Sequence, residues 1–121
     1  MSVTAAQFPP ALRLLTAAQY QAVFKQTQQK SGNRHLLILA TANLVDVPRL
    51  GMAISIKNSE NAVNRNRIKR LVRETFRKQR QYIAVLDYIV LTRKGVTALS
   101  NRQIVDTLIE HWQTITTRCE K

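Results

Sequence analysis

The stretch from Ala62 to Arg80 constrains the fold more than any other part of the chain. Stepped at 100° per residue, it separates into two arcs. Ile68, Leu71, Val72, Thr75 and Phe76 gather on one side. Asn66, Lys69, Arg70, Arg73, Arg77 and Arg80 gather on the other, with Arg67 and Lys78 at the margin. A helix of this kind must lay its apolar arc on another layer of structure, so the chain has to supply a sheet or further helices to receive it. Arg65 breaks the pattern, falling between Val72 and Phe76 on the apolar side. It either marks an irregular start to the helix or projects past a sheet edge.

The polar arc is unusual in its sign. Between Arg65 and Arg80 there are eight Lys or Arg residues and one acid, Glu74, a net +7 out of +12 for the chain. Solvated helix faces generally mix charges, often as Glu–Lys pairs four residues apart. Like charge concentrated on one face costs self-repulsion, which a polyanion that releases counterions on binding would offset. With a sequence pI near 11.0, nucleic acid is the expected partner, ahead of a basic face with no partner at all. Charge does not separate RNA from DNA, and no zinc-finger spacing, heptad zipper or helix-turn-helix pair does so either.

Around this helix the chain reads as one α+β domain spanning residues 1–121. Residues 1–15 form an irregular N-terminal segment with Pro9 and Pro10. Thr16 and Gln19 stand in capping-box spacing, and Leu15 is placed to staple to Tyr20 across the cap. Tyr20, Val23 and Phe24 share one face of the helix that follows, which is expected to fade near the turn-like cluster Lys30, Ser31, Gly32 and Asn33. Residues 35–42 and 49–56 read as two extended runs joined by a turn at 43–48, most economically a hairpin. Asp87 to Thr92 is a third strand. Ser100 and Gln103 cap a last helix whose stripe is Ile104, Leu108, Trp112 and Ile115, with a frayed tail from residue 116. The expected order is α-β-β-α-β-α, a small central mixed sheet packed by helices, with a β-α-β crossover around the basic helix.

Other residue types point away from chemistry carried by the protein. His35 and His111 have no Cys or carboxylate at ligand spacing, so a structural role is expected for each and no metal site. Cys119 is the lone cysteine, fits a reducing compartment and lies in no nucleophile motif. Trp112 continues an apolar stripe. No paired carboxylates suit two-metal hydrolysis. The apolar runs fall far short of the roughly 20 residues of a spanning helix, and the N-terminus lacks the layout of a secretory signal. A cytoplasmic protein without a membrane partner is the expectation.

The run Ala62-Val-Asn-Arg-Asn-Arg-Ile-Lys-Arg-Leu-Val-Arg73 resembles the Arg-Asn-Arg signature of the protein subunit of bacterial ribonuclease P. The resemblance extends to Arg13–Phe24, Arg49–Ser55 and Asp87–Lys94. It implies a sheet flanked by helices, with a left-handed crossover around the signature helix. It also implies an accessory role in endonucleolytic tRNA processing. A catalytic RNA, using Mg²⁺, cuts the 5′ leader from precursor tRNA, while the protein binds that RNA and the leader. By the same resemblance, Arg65, Asn66, Arg67, Lys69, Arg70, Arg73 and Arg77 would contact the catalytic RNA. Tyr20 and Phe24, with Arg13 and Lys57, would line the leader cleft, where rings stack on bases at ~1–3 kcal/mol per base. Core packing is the competing role for Tyr20 and Phe24. Leu39 stands where relatives often carry an aromatic ring, Ile56 where they carry a second lysine, and Glu60 where they often carry Gly or a base. A small ribosomal or RNA-chaperone protein is the alternative function, with a DNA-binding regulator behind it.

Overall fold

The computed structural model describes residues 12–54 and 62–119. In chain order the elements are α1 (Ala17–Lys25), β1 (Gln29–Gly32), β2 (Leu36–Ala42), β3 (Arg49–Ala53), α2 (Ala62–Gln79), β4 (Leu86–Thr92), a 3-10 turn (Val96–Ala98) and α3 (Asn101–Cys119). The four strands form one mixed sheet in the order β1-β2-β4-β3. β1–β2 and β2–β4 are antiparallel, and β3–β4 is parallel.

That parallel pair dictates where the basic helix goes. Parallel neighbours need a crossover of a dozen or more residues, and the 18-residue α2 supplies it. Side chains alternate across the sheet, so Tyr88 and Val90 of β4 join Leu36, Ile38, Ala40 and Leu50 on one face. There they meet Ile68, Val72 and Phe76 of α2 and Ile104, Leu108, Trp112 and Ile115 of α3. Phe76 sits edge-on to Trp112 (centroids 5.6 Å, 63°) and to Tyr88 (6.3 Å, 68°), tying both helices to the central strand. The Tyr88 hydroxyl donates to the Ala84 carbonyl at 2.5 Å, and burial pushes its pKa upward. Ile89 points the other way, into a smaller cluster with Leu14 and Val23 under α1. β4 is covered on both sides, which accounts for its nearly continuous burial.

The α+β class holds, with four differences in detail. Residues 29–32, expected as a turn after a longer first helix, form an extra strand pairing Gln29 with Ala40 through Gly32 with Leu37. α1 stops at Lys25, and the Thr27 hydroxyl donates to the Val23 carbonyl (2.6 Å) just beyond its end. A short polar edge strand carries no apolar alternation to announce it. The hairpin expected between residues 35–42 and 49–56 does not form, because β4 lies between β2 and β3. Two strongly apolar runs each find a better-covered neighbour in β4 than in one another, and the six residues of 43–48 bridge over it. The expected staple is replaced as well. Leu15 is 60% exposed, whereas Leu14 packs with Tyr20. The capping box itself is present, and Gln19 Oε1 also accepts from the Leu15 N–H at 2.6 Å. Finally, α3 stays helical through Cys119, held near its end by Arg118 Nη1 donating to the Lys30 carbonyl at 2.6 Å.

Candidate nucleic-acid interface

On α2 the five residues of the apolar arc, Ile68, Leu71, Val72, Thr75 and Phe76, are all buried. Thr75 fits there because its hydroxyl donates to the Leu71 carbonyl (2.6 Å) and leaves no unsatisfied group. On the opposite arc Asn66, Arg70 and Arg73 are exposed, and Lys69, Arg77 and Arg80 are half-buried at their stems. The long cations thus stand on a face whose reverse is locked into the core.

Two signature arginines behave differently. Arg65, on the apolar arc, is half-buried and engaged within the protein. Arg67 does reach sideways, and its guanidinium lands on protein acceptors. Nη1 donates to Asn101 Oδ1 (2.6 Å) and the Leu99 carbonyl (3.3 Å), and Nη2 to the Thr97 carbonyl (3.2 Å). A planar fork suits this multidentate clamp. It pins the first turns of α2 to the start of α3, a role that spacing along one helix could not reveal.

The other expected group lies across the sheet. Tyr20 is half-buried, and its hydroxyl oxygen accepts from the Met52 N–H at 3.1 Å. Its ring lies over Gly51, where a Cβ would come within 2.8 Å of the ring carbons. Gly51 is therefore a requirement of the site; the only sequence signal for it was a glycine inside a strand. Phe24 is 45% exposed, and Leu39 packs partly buried in the cluster that holds Tyr20. Arg13 is half-buried and bridges to Leu50, extending the β3 edge, with the Leu14 N–H donating to the Leu50 carbonyl (2.9 Å). Lys57, Ile56 and Glu60 lie outside the described residues. The structure thus brings Tyr20, Phe24 and Leu39 to the α1 face and places the basic arc of α2 on the opposite face; Arg13 sits at the β3 edge, paired with Leu50 of the α2–α3 core rather than gathered with the rings.

The base of the sheet is fixed by a bidentate pair. Arg49 Nε and Nη2 donate to Asp87 at 2.8 and 2.7 Å, and Asn43 Nδ2 adds a bond to the same carboxylate at 3.0 Å. The Asp87 contact raises the Arg49 pKa against the opposing effect of burial. Among the described residues, no three of His, Cys, Asp and Glu gather as a metal-holding group. Nor is any described helix long and apolar enough to cross a membrane.

Fold and site together define a small α+β protein that carries a one-sided basic helix on one side of its sheet and half-exposed aromatic residues on the other. The family model for ribonuclease P matches residues 8–116. The ribonuclease P protein component of Idiomarina loihiensis is 39% identical over 110 residues, covering 91% of this chain and 88% of that protein. Its counterpart in Chromohalobacter salexigens is 46% identical over 106 residues, covering 88% and 83%. Among solved structures, a Staphylococcus aureus RNase P protein superimposes with a TM-score of 0.80 at 30% identity, covering 87% of this chain and 97% of that one. The Thermotoga maritima protein gives 0.76 at 27%, covering 85% and 96%. The chain belongs to the bacterial ribonuclease P protein family, and is thus the protein component of a tRNA-processing endoribonuclease.

Proposed function

We propose that this subunit binds the catalytic RNA of ribonuclease P through the basic arc of α2, and the 5′ leader of precursor tRNA across the α1 face. The observation that carries the reading is the segregation on α2. All five apolar-arc residues are buried, while Asn66, Lys69, Arg70, Arg73 and Arg77 share the other side with no acid among them. A rigid row of cations costs little further ordering when phosphates arrive. Arg67 holds the first turns of the helix that presents this row, and Arg65 remains assigned with it to the catalytic-RNA surface on the family resemblance. On the other face, Tyr20 and Phe24 keep part of their rings open to bases, and Arg13, at the β3 edge, is the cation proposed to serve the same strand. Lys57, outside the described residues, is a candidate leader contact on the family resemblance alone. The protein acts in the cytoplasm, where its RNA partners are made.

The test is cleavage of precursor tRNA by the cognate catalytic RNA at low Mg²⁺, with and without the protein. The expected result is strong stimulation that grows with the length of the leader. Equal rates with and without protein would overturn the reading.

A further inference from the structure

At the outer edge of β1, far from the α2 row, lies a polar cavity of about 340 Å³. It is lined by Lys30, Ser31, Gly32, Leu37, Arg93 and Arg118. Three cations reach it from three elements: Lys30 from β1, Arg93 from just beyond β4, and Arg118 from the last turn of α3. No carboxylate among the described residues lines it. Two of the cations are preset. Arg118 Nη1 is anchored on the Lys30 carbonyl and Arg93 Nη1 on the Asn33 carbonyl, each at 2.6 Å. An arginine has five N–H donors, so each guanidinium keeps donors beyond its anchor. The floor is kept low by Gly32, where a Cβ would come within 2.8 Å of the Leu36 carbonyl oxygen and Leu37 Cδ1.

The cavity straddles the outer edge of the sheet, with Lys30 and Arg93 on the α1 face and Arg118 reaching round from α3 on the other. Lys30 pairs with Leu39 and Gly32 with Leu37, so by strand alternation these positions share the α1 face, as does Arg93 two residues after Leu91. Arg34 and Lys94 stand in the adjoining turns, which the Arg93 N–H to His35 carbonyl bond (2.8 Å) holds together. Five of the eleven cations outside the Arg65–Arg80 run therefore gather at this corner. Three positive groups converging on one polar hollow repel one another unless an anion sits between them.

We propose that this corner holds a backbone phosphate of the single-stranded 5′ leader, where the strand passes off the α1 face over the β1 edge. The inference rests on the leader reading above and extends it to a second grip, one built of charge rather than of rings. The experiment uses the full chain and the double variant Lys30→Gln/Arg118→Gln, with circular dichroism confirming the fold. The first arm measures binding of a labelled single-stranded oligoribonucleotide to the protein alone as a function of salt. Loss of one phosphate contact should reduce the slope of log K against log salt by about 0.7 and weaken binding about fourfold near 0.15 M salt. The second arm measures affinity of the reconstituted holoenzyme for precursor tRNA with short and long leaders, and the loss should appear only with the long leader.

Arg118→Lys keeps the charge while changing the anchor, and should retain most of the affinity. Equal damage from Lys and Gln at position 118 would make the residue a structural strut and overturn the proposal. An unchanged slope and affinity in the double variant would overturn it too. In a third arm, inorganic phosphate is titrated against the amides of residues 30–37. Saturation by phosphate, with RNA binding indifferent to the variant, would assign the cavity to a free anion instead. If the wild-type protein fails to stimulate cleavage, the first arm still judges the cavity on its own.

Discussion

The two faces of the sheet are built to opposite specifications. Beneath α2 and α3 the core is deep: Phe76, Tyr88 and Trp112 are fully buried and meet edge to face. Among the described residues, the α1 side buries three apolar side chains, Leu14, Val23 and Ile89, and leaves Tyr20 and Leu39 half-open. On the proposed function, the difference follows from what each side would present. A row of like charges needs a stiff support, because each cation then stays on the surface without its helix bending away. Rings proposed to stack on bases would instead need area open to water, and the layer that carries Tyr20 and Phe24 does give up burial. The deeper burial lies on one side of the sheet and the more open surface on the other.

The largest break in that contrast should come from the deep side. Trp112→Ala or Phe76→Ala removes the ring that joins helix to helix or helix to β4, and should cost ~3–5 kcal/mol. Urea denaturation followed by circular dichroism measures it. The drop should be accompanied by loss of RNA binding, since α2 loses its seat. A loss below about 1 kcal/mol would show that the aromatic junction does not support the basic helix.

Next in size is Gly51→Ala on the thin side. A methyl 2.8 Å from the Tyr20 ring must displace that ring and its bond to the Met52 N–H, at a cost of ~1–3 kcal/mol. Leader affinity should fall while binding of the catalytic RNA holds. Tyr20→Ala in an otherwise unchanged chain separates the two effects, and should weaken binding of precursors with long leaders more than binding of leaderless tRNA. Equal losses for both substrates would assign the ring to packing.

Arginines 67 and 70 sharpen the comparison within a single helix. Arg70→Ala should leave stability nearly unchanged and lower the salt slope of binding to the catalytic RNA by about one contact. Arg67→Ala should do the reverse. It strips a charged donor from Thr97, Leu99 and Asn101, costing ~1–2 kcal/mol for a partly exposed clamp, and should leave the slope in place. If both variants shift the slope alike, Arg67 also touches phosphate.

These residues show where sequence reading worked and where it stopped. The apolar arc of α2, the capping boxes at Thr16 and Ser100 and the stripe of α3 were legible because each depends on residues a few positions apart, within reach of helical geometry. Strand order was not. β2 and β3 are both apolar, and nothing local in either says that β4 will separate them. β1 escaped because three polar residues and a glycine at a sheet edge have no pattern of their own. The clamp of Arg67 joins positions 30 to 34 residues apart, and the Lys30–Arg93–Arg118 cavity gathers residues from both halves of the chain. Local periodicity sees faces, and it is blind to what packs against them.

The smallest effect expected is a pH dependence centred on that overlooked edge. His111 is 8% exposed and places Nδ1 2.7 Å from Ser31 Oγ, joining α3 to β1. Burial lowers its pKa, with Glu110 pulling weakly the other way. The folded protein therefore resists a proton that the unfolded chain accepts near pH 6.5. Between those two pKa values the unfolded state binds more protons, so stability falls as pH drops. The contribution is complete above the unfolded value and is lost as pH falls through it toward the lower folded value, with a slope of at most about 1.4 kcal/mol per pH unit. His111→Gln has no titrating ring and should remove this part of the decline. Protection of the amides of residues 29–32, corrected for intrinsic exchange, should fall first on acidification in the wild type, because a charged His111 is desolvated where it joins that strand and its Nε2 has no acceptor. Uniform acceleration across the sheet would instead place the acid sensitivity in the deep core, and would erase the contrast between edge and centre.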